Sequence, residues 1–148
     1  MNLRHISILV SAPRDTVFNF LADIENLPRW APSLCERLYL ARGRWMTLSR
    51  QGEMQVDLVA DSGTGVIDLR AGPAPDQLSV LPVRVLPLSA RSTLVSVTYV
   101  PAPEWPAGIV QCDADAFDAE LEALVRRFGG GKFCAPVPVP QLAELGVN

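Results

Sequence analysis

Residues 5–32 read HISILVSAPRDTVFNFLADIENLPRWAP, which specifies in order a strand, a helix and a second short helix ending on a tryptophan. Ile6, Ile8 and Val10 alternate with His5, Ser7 and Leu9, the two-residue period of a strand, and Ser11-Ala12-Pro13 breaks that pattern. A helix is expected from the break onward. Pro13 suits a first helical turn, where its missing N–H would have no partner, and Ser11 is a candidate cap. Val17, Phe18 and Leu21 share one helical face. After Asp23 the spacing predicts a second short helix over 24–30, closed by Pro32 and carrying Trp30 at its end.

Downstream, short apolar runs predict strands over 34–40, 44–50, 53–60, 65–70, 77–85 and 91–100, separated by Arg-Gly, Gln-Gly, Ser-Gly-Thr-Gly and Gly-Pro-Ala-Pro-Asp turns. Connections this short favour antiparallel neighbours, so with the first strand they make a seven-stranded antiparallel sheet. Pro82 has no N–H for a ladder and is expected at a bulge or an edge. Strand parity then assigns faces. Met54, Val56, Leu58 and Ala60 turn inward against Glu53, Gln55 and Asp57, and Ile67 and Leu69 against Asp68 and Arg70. The same rule selects Met46 and Leu48 over Thr47 and Ser49, and Val95, Val97 and Tyr99 near the end of the sheet. The inner face is thus mostly aliphatic, with Tyr99 as its polar handle.

A long helix follows. Asp113 is its candidate cap, Asp115 and Asp118 lie in its first turns, Arg126 and Arg127 in its last, and Gly129 stops it. Phe117, Leu121, Leu124, Val125 and Phe128 recur on one face, with Asp118, Glu122 and Arg126 as a solvated stripe opposite. Beyond it, 129–140 is glycine and then alternating proline, an extended segment, and 141–145 has the pattern of one further helical turn. The expected organisation is one domain over 1–131 and a Pro-rich tail over 132–148.

The opening segment resembles the START/Bet v 1-like (SRPBCC) superfamily, in particular its polyketide cyclase/dehydrase-like branch. The matching residues are Ile8-x-Val10-x-Ala12-Pro13, Val17-Phe18, Leu21-x-Asp23 and Trp30-x-Pro32. The resemblance implies an α+β helix-grip fold, in which a curved antiparallel sheet grips a long C-terminal helix, two short helices follow the first strand, and an apolar cavity lies between sheet and helix. Carriers, receptors, cyclases and protein-binding modules share that fold, so it does not choose among functions.

Composition narrows the classes. The 148 residues are enough for a single core that buries roughly two-thirds of the unfolded surface. No apolar run approaches the roughly 20 residues of a membrane helix, and Arg4, His5 and Ser7 interrupt any secretory h-region, so an integral membrane segment is not expected and a cytoplasmic location is. Cys35, Cys112 and Cys134 are widely spaced, with no Cys-x-x-Cys pair, and read as small half-buried hydrophobes. With one histidine in the chain, His5, neither a metal site nor a His-dependent catalytic unit is expected. A net charge of −3 with mixed signs argues against nucleic acid as a partner. The arginines of the 37–50 segment, Arg37, Arg42, Arg44 and Arg50, read as a solvated hairpin face. Gly63-Thr64-Gly65 and 129–131 lack the phosphate-loop and dinucleotide spacings and read as a turn and a helix stop.

Three readings of function follow. The first is binding or transport of a lipophilic small molecule, of lipid, polyketide or isoprenoid type, in a cavity lined by Trp30, Met46, Leu48, Met54, Val56, Leu58, Ile67, Leu69, Val97, Tyr99, Phe117, Leu121 and Val125. No catalytic residue, cofactor or metal is assigned. The second is a cyclase/aromatase-like enzyme, which needs titratable groups inside. The third is a ligand-free interaction module working through the arginine hairpin or the proline tail, with a second copy of the chain as a candidate partner. The first is preferred, because the inward parity set is aliphatic and its carboxylates point outward.

Overall fold

Six strands follow one another in space as they do in sequence, and the seventh, the earliest in the chain, closes onto the last. The computed structural model describes residues 4–49, 52–76, 78–99 and 114–128. The strands are β1 (Arg4–Val10), β2 (Arg37–Ala41), β3 (Arg44–Ser49), β4 (Gly52–Asp61), β5 (Val66–Gly72), β6 (Ser79–Ser89) and β7 (Ser92–Tyr99). They form one antiparallel sheet in the order β1-β7-β6-β5-β4-β3-β2, the seven-stranded sheet expected from the short connections.

Between β1 and β2 the chain makes α1 (Arg14–Ala22), a 3-10 turn at Ile24–Asn26 and α2 (Leu27–Trp30), and after β7 comes α3 (Ala114–Arg127). α1 buries Val17, Phe18 and Leu21, the face its periodicity predicts. Ser11 does not cap it. Pro13 occupies the N-cap position in extended conformation with no side-chain cap, and its carbonyl accepts from the N–H of Val17 at 3.2 Å. The proline's fixed φ sets the turn into the helix, so no capping hydroxyl is required. Asp23 does cap, its carboxylate accepting from the Glu25 N–H at 3.0 Å. Asp113, Gly129 and the tail lie outside the described residues.

Residues 34 and 35 are not strand. The N–H groups of Leu34 and Cys35 both donate to the Ala31 carbonyl, at 3.0 Å each, and this turn sends both side chains into the core before β2 begins.

Pro82 stands inside β6, an interior strand, paired with Asp68 of β5 and without a bulge; the irregularity of this strand falls at Pro87 and Ser89. The ladder from β6 to β7 begins one residue later, at Val83, so the proline lies at the start of that ladder, where a missing N–H is tolerated.

The core sits on one face of the sheet. Ile6, Ile8 and Val10 of β1, Val95 and Val97 of β7, Leu81, Val83 and Val85 of β6 and Ile67 and Leu69 of β5 are all buried there, beneath Leu21, Leu27, Phe117 and Leu121 of the helices. Among the described residues no helix is long and apolar enough to cross a membrane.

Candidate functional site

Register fixes which side chains share the inner face. Ile6 lies opposite Val97, Val97 opposite Val83, Val83 opposite Ile67 and Ile67 opposite Ala60. Along the next rows Leu81 meets Leu69, Leu69 meets Leu58, and Ala71 meets Val56. Cross-strand partners point to the same side, so these rows make one continuous aliphatic surface.

On β3 the parity is the reverse of the one expected. Thr47 pairs with Met54 and Leu38 on the inner face and is 1% exposed, whereas Leu48 pairs with Glu53 and Arg37 on the outer face and is 43% exposed. Met46 also lies outside, opposite Gln55 and Tyr39. The cause is the two-residue Arg42-Gly43 turn, with φ of 55° and 75°, which pairs Ala41 with Arg44. That register places Leu38 and Leu40 on the same side as Thr47 and Trp45. Met46 and Leu48 therefore leave the candidate lining, and Leu38 and Trp45 join it. The signal was present in β2, where Leu38 and Leu40 alternate with Arg37 and Tyr39; carrying that parity through the turn would have found them.

The other candidates lie on the core side. Trp30, Val56, Ile67, Leu69, Val97, Tyr99, Phe117, Leu121 and Val125 are buried, and Met54 and Leu58 are half-buried. α3 packs on β1 and α2. Farther along the inner face, Leu38, Trp45, Met54 and Leu58 keep partial exposure, and Leu40 at the end of β2 is 60% exposed.

Attachments near its start, at its middle and past its end hold α3. Near its start the Asp118 carboxylate accepts from the Tyr99 hydroxyl at 2.8 Å and pairs with Arg4 at 2.9 Å, while the Phe117 ring meets Tyr99 edge-on at 4.9 Å. In the middle, Glu120 accepts from both the N–H and the hydroxyl of Ser33, at 2.6 and 2.8 Å, which fastens the turn after α2. Past its last turn, Phe128 meets Phe20 of α1 edge-on at 5.5 Å, and Arg127 stacks over that same ring at 4.4 Å. Asp118 thus does not belong to the solvated stripe. Glu122 and Arg126 are exposed, but Asp118 lies over the seam of β1 and β7, where two donors wait for it.

A double-mutant cycle between Tyr99→Phe and Asp118→Asn is expected to give a coupling energy of about 1–2 kcal/mol, because the bond runs to a largely sheltered carboxylate. Urea unfolding of the four proteins measures it, and additive losses would mean that the bond contributes nothing to docking the helix. Arg4 is 37% exposed at its side chain and adds less.

The polar groups of the inner face are already engaged. The Thr93 hydroxyl donates to the Ala12 carbonyl at 2.8 Å, that of Ser79 to Ala71 at 3.3 Å, and that of Thr47 to Met54 at a long 3.5 Å. Burial pushes the Cys35 thiol up to about 11. One group differs: among buried side-chain nitrogen and oxygen atoms of the described residues, Trp30 Nε1 has no hydrogen-bond partner.

The outer face carries two shallow, open grooves. One, of about 650 Å³, is lined by Met46 with Arg42, Arg44, Glu53, Gln55 and two prolines, and the other, of about 310 Å³, by Leu48 with Arg37, Tyr39 and Glu53. The hydrogen-bonded Glu53 carboxylate holds the Tyr39 phenol above its ordinary value. Arg37, Arg42 and Arg44 are exposed around these grooves, as the hairpin reading expects.

No protein-family model and no curated protein matches the sequence. Solved structures do match. An uncharacterised protein from Bacillus thuringiensis superposes with a TM-score of 0.62 at 16% identity, over 86% of this chain and 98% of its own. A START superfamily protein from Mycobacterium smegmatis gives 0.57 at 17% identity, over 84% and 97%. A point mutant of norcoclaurine synthase from Thalictrum flavum, in complex with a transition-state analogue, gives 0.54 at 16%, over 85% and 94%. Identity this low with coverage this high fixes the architecture, which is the START/Bet v 1-like helix-grip fold.

Proposed function

We propose that this helix-grip chain binds a lipophilic small molecule, of lipid, polyketide or isoprenoid type, in apolar space between its sheet and α3. The observation that carries the reading is the strip formed by Leu38, Trp45, Met54 and Leu58. It continues the aliphatic inner face beyond the docked helix and is left half-buried. An apolar ligand covering about 200 Å² there gains roughly 5 kcal/mol from desolvation, before the cost of immobilising it. Met54 and Trp45 suit such a task, one adaptable and one broad and flat. The fold is shared with a START superfamily protein and with norcoclaurine synthase, a point mutant of which is in complex with a transition-state analogue.

The cyclase reading is less well supported. It needs a group free to move a proton, whereas the Tyr99 hydroxyl is bonded to Asp118 and the Cys35 thiol is held protonated by burial. Binding needs neither.

Native mass spectrometry of the purified protein is expected to detect a co-purified small molecule, or a panel of fatty acids, isoprenols and flat aromatic ketones to raise its melting temperature. At a ligand concentration of 100 times Kd the stabilisation is about 2.7 kcal/mol. For a domain of this size that corresponds to roughly 5–10 °C. A chain that carries nothing and is stabilised by none of the panel overturns the reading.

A further inference from the structure

Trp30 ends α2, and α2 packs against both α3 and β2. The helix therefore stands where the helical layer meets β2, the strand that carries Leu38 of the strip on which the binding reading rests. The Trp30 side chain is 3% exposed. Around it in the sequence, Leu27, Ala31, Leu34 and Cys35 are buried in the same core cluster. These supply aliphatic and thiol side-chain surface, and among the described residues no atom takes up Nε1–H.

A buried donor without an acceptor is expensive, at about 1–3 kcal/mol. Tryptophan N–H groups usually find a partner when buried. The contrast with the other polar groups on the inner side is sharp, since Thr93, Ser79 and Tyr99 all donate within the protein.

We infer that Trp30 is a specificity-determining residue whose Nε1–H is kept free to donate to an oxygen of the bound molecule, so that the ligand is a lipophilic compound with a carbonyl or ether acceptor. The inference rests on the proposed binding role and adds to it the polar feature by which ligands are told apart. An aliphatic wall accepts any apolar chain of fitting shape. A single donor in that wall sets the position of the one oxygen along it.

The test compares 2-decanone, which has one carbonyl acceptor, with n-decane, which has none, on the wild-type chain and on Trp30→Phe. Phenylalanine keeps a flat aromatic ring and removes the N–H. Binding of 2-decanone is expected to weaken about five- to tenfold in the variant, the loss of one hydrogen bond in a dry site, with n-decane unchanged. Without any ligand, Trp30→Phe is expected to lose only what the smaller ring costs in packing, because the deleted donor has no partner. In the wild-type chain the indole N–H signal of Trp30, assigned against Trp45→Phe and Trp105→Phe, should move downfield with 2-decanone and not with n-decane. That measurement decides the matter even if the Trp30 variant does not fold.

Equal affinity of 2-decanone for both proteins, or an indole signal indifferent to the ketone while both probes bind, overturns the role of Trp30 and leaves the binding reading standing. Failure of both probes to bind the wild-type chain overturns the binding reading, and this inference with it.

Discussion

Alanine at Phe117 is expected to lower the unfolding free energy by about 3–5 kcal/mol, among the largest effects of any single truncation in the chain. The ring is fully buried at 0% exposure and lies 4.9 Å from Tyr99 in an edge-on contact. Removing it deletes the apolar surface with which α3 reaches the sheet and leaves a void beside Tyr99, which the rigid β-ladders cannot collapse to fill. It also removes the ring that packs against Tyr99, whose hydroxyl holds Asp118. Urea denaturation measures the loss directly, and a thermal melt should fall by roughly 10 °C at 2–4 °C per kcal/mol. Phe117→Leu should retain most of the stability. A loss below about 1 kcal/mol for the alanine variant would mean that α3 is not gripped by the sheet as described.

Gly65→Ala is expected to cost about 3 kcal/mol or more, though it adds only one methyl group. Gly65 has φ of +77° and is buried at the end of the β4–β5 turn. A Cβ there would run into the backbone carbonyl of Val85 in β6, well inside van der Waals contact. That neighbour cannot retreat cheaply, because the Val85 N–H donates to the Gly65 carbonyl at 2.9 Å and Arg14 of α1 reaches over to the Ser62 carbonyl in the same turn. Gly43 supplies the control. Its φ of +75° is nearly the same, but nothing lies within 4 Å of its added Cβ, so Gly43→Ala should cost only about 1 kcal/mol. The difference between the two variants isolates the close approach from the backbone strain, and equal losses would refute that approach. The sequence reading recognised residues 63–65 as a turn; that one of its glycines is pressed against a strand two elements away emerges only in three dimensions.

Where period and punctuation are strong, the fold was legible. The alternation of Ile6, Ile8 and Val10, the helical face of Val17, Phe18 and Leu21, and the turns between strands led to the seven-stranded sheet, and the resemblance of the opening segment implied the helix it grips. Legibility failed where two patterns of similar weight competed. On β3 the choice lay between Met46 with Leu48 and Thr47 with Ser49, and side-chain hydrophobicity favours the first while the hairpin register turns Thr47 inward, with Trp45 beside it. Asp118 was misplaced for a related reason. A helical wheel ranks residues around one axis but does not say which end of the helix lies over a strand seam, and at that end a carboxylate finds Tyr99 and Arg4. The unmet N–H of Trp30 is beyond any local pattern, since an absent partner is a property of everything around the residue. Of the thirteen lining candidates, eleven fall on the core side and the two exceptions come from that one strand.

The pairing of β1 with β7 also orders events in time. His5 and Thr98 touch at 2.9 Å although 93 positions apart in the chain, whereas β2 to β7 join through short turns. Hairpins of the second kind close in microseconds, but the first pairing must wait for a long loop to shut, and its entropy is lost before any contact repays it. During synthesis β1 therefore emerges early with its Ile6, Ile8 and Val10 row unmatched, and the edge of β7 stays open until β1 arrives. The last seam to form is also the one beneath Asp118, so the helix can be locked down only after the sheet is complete.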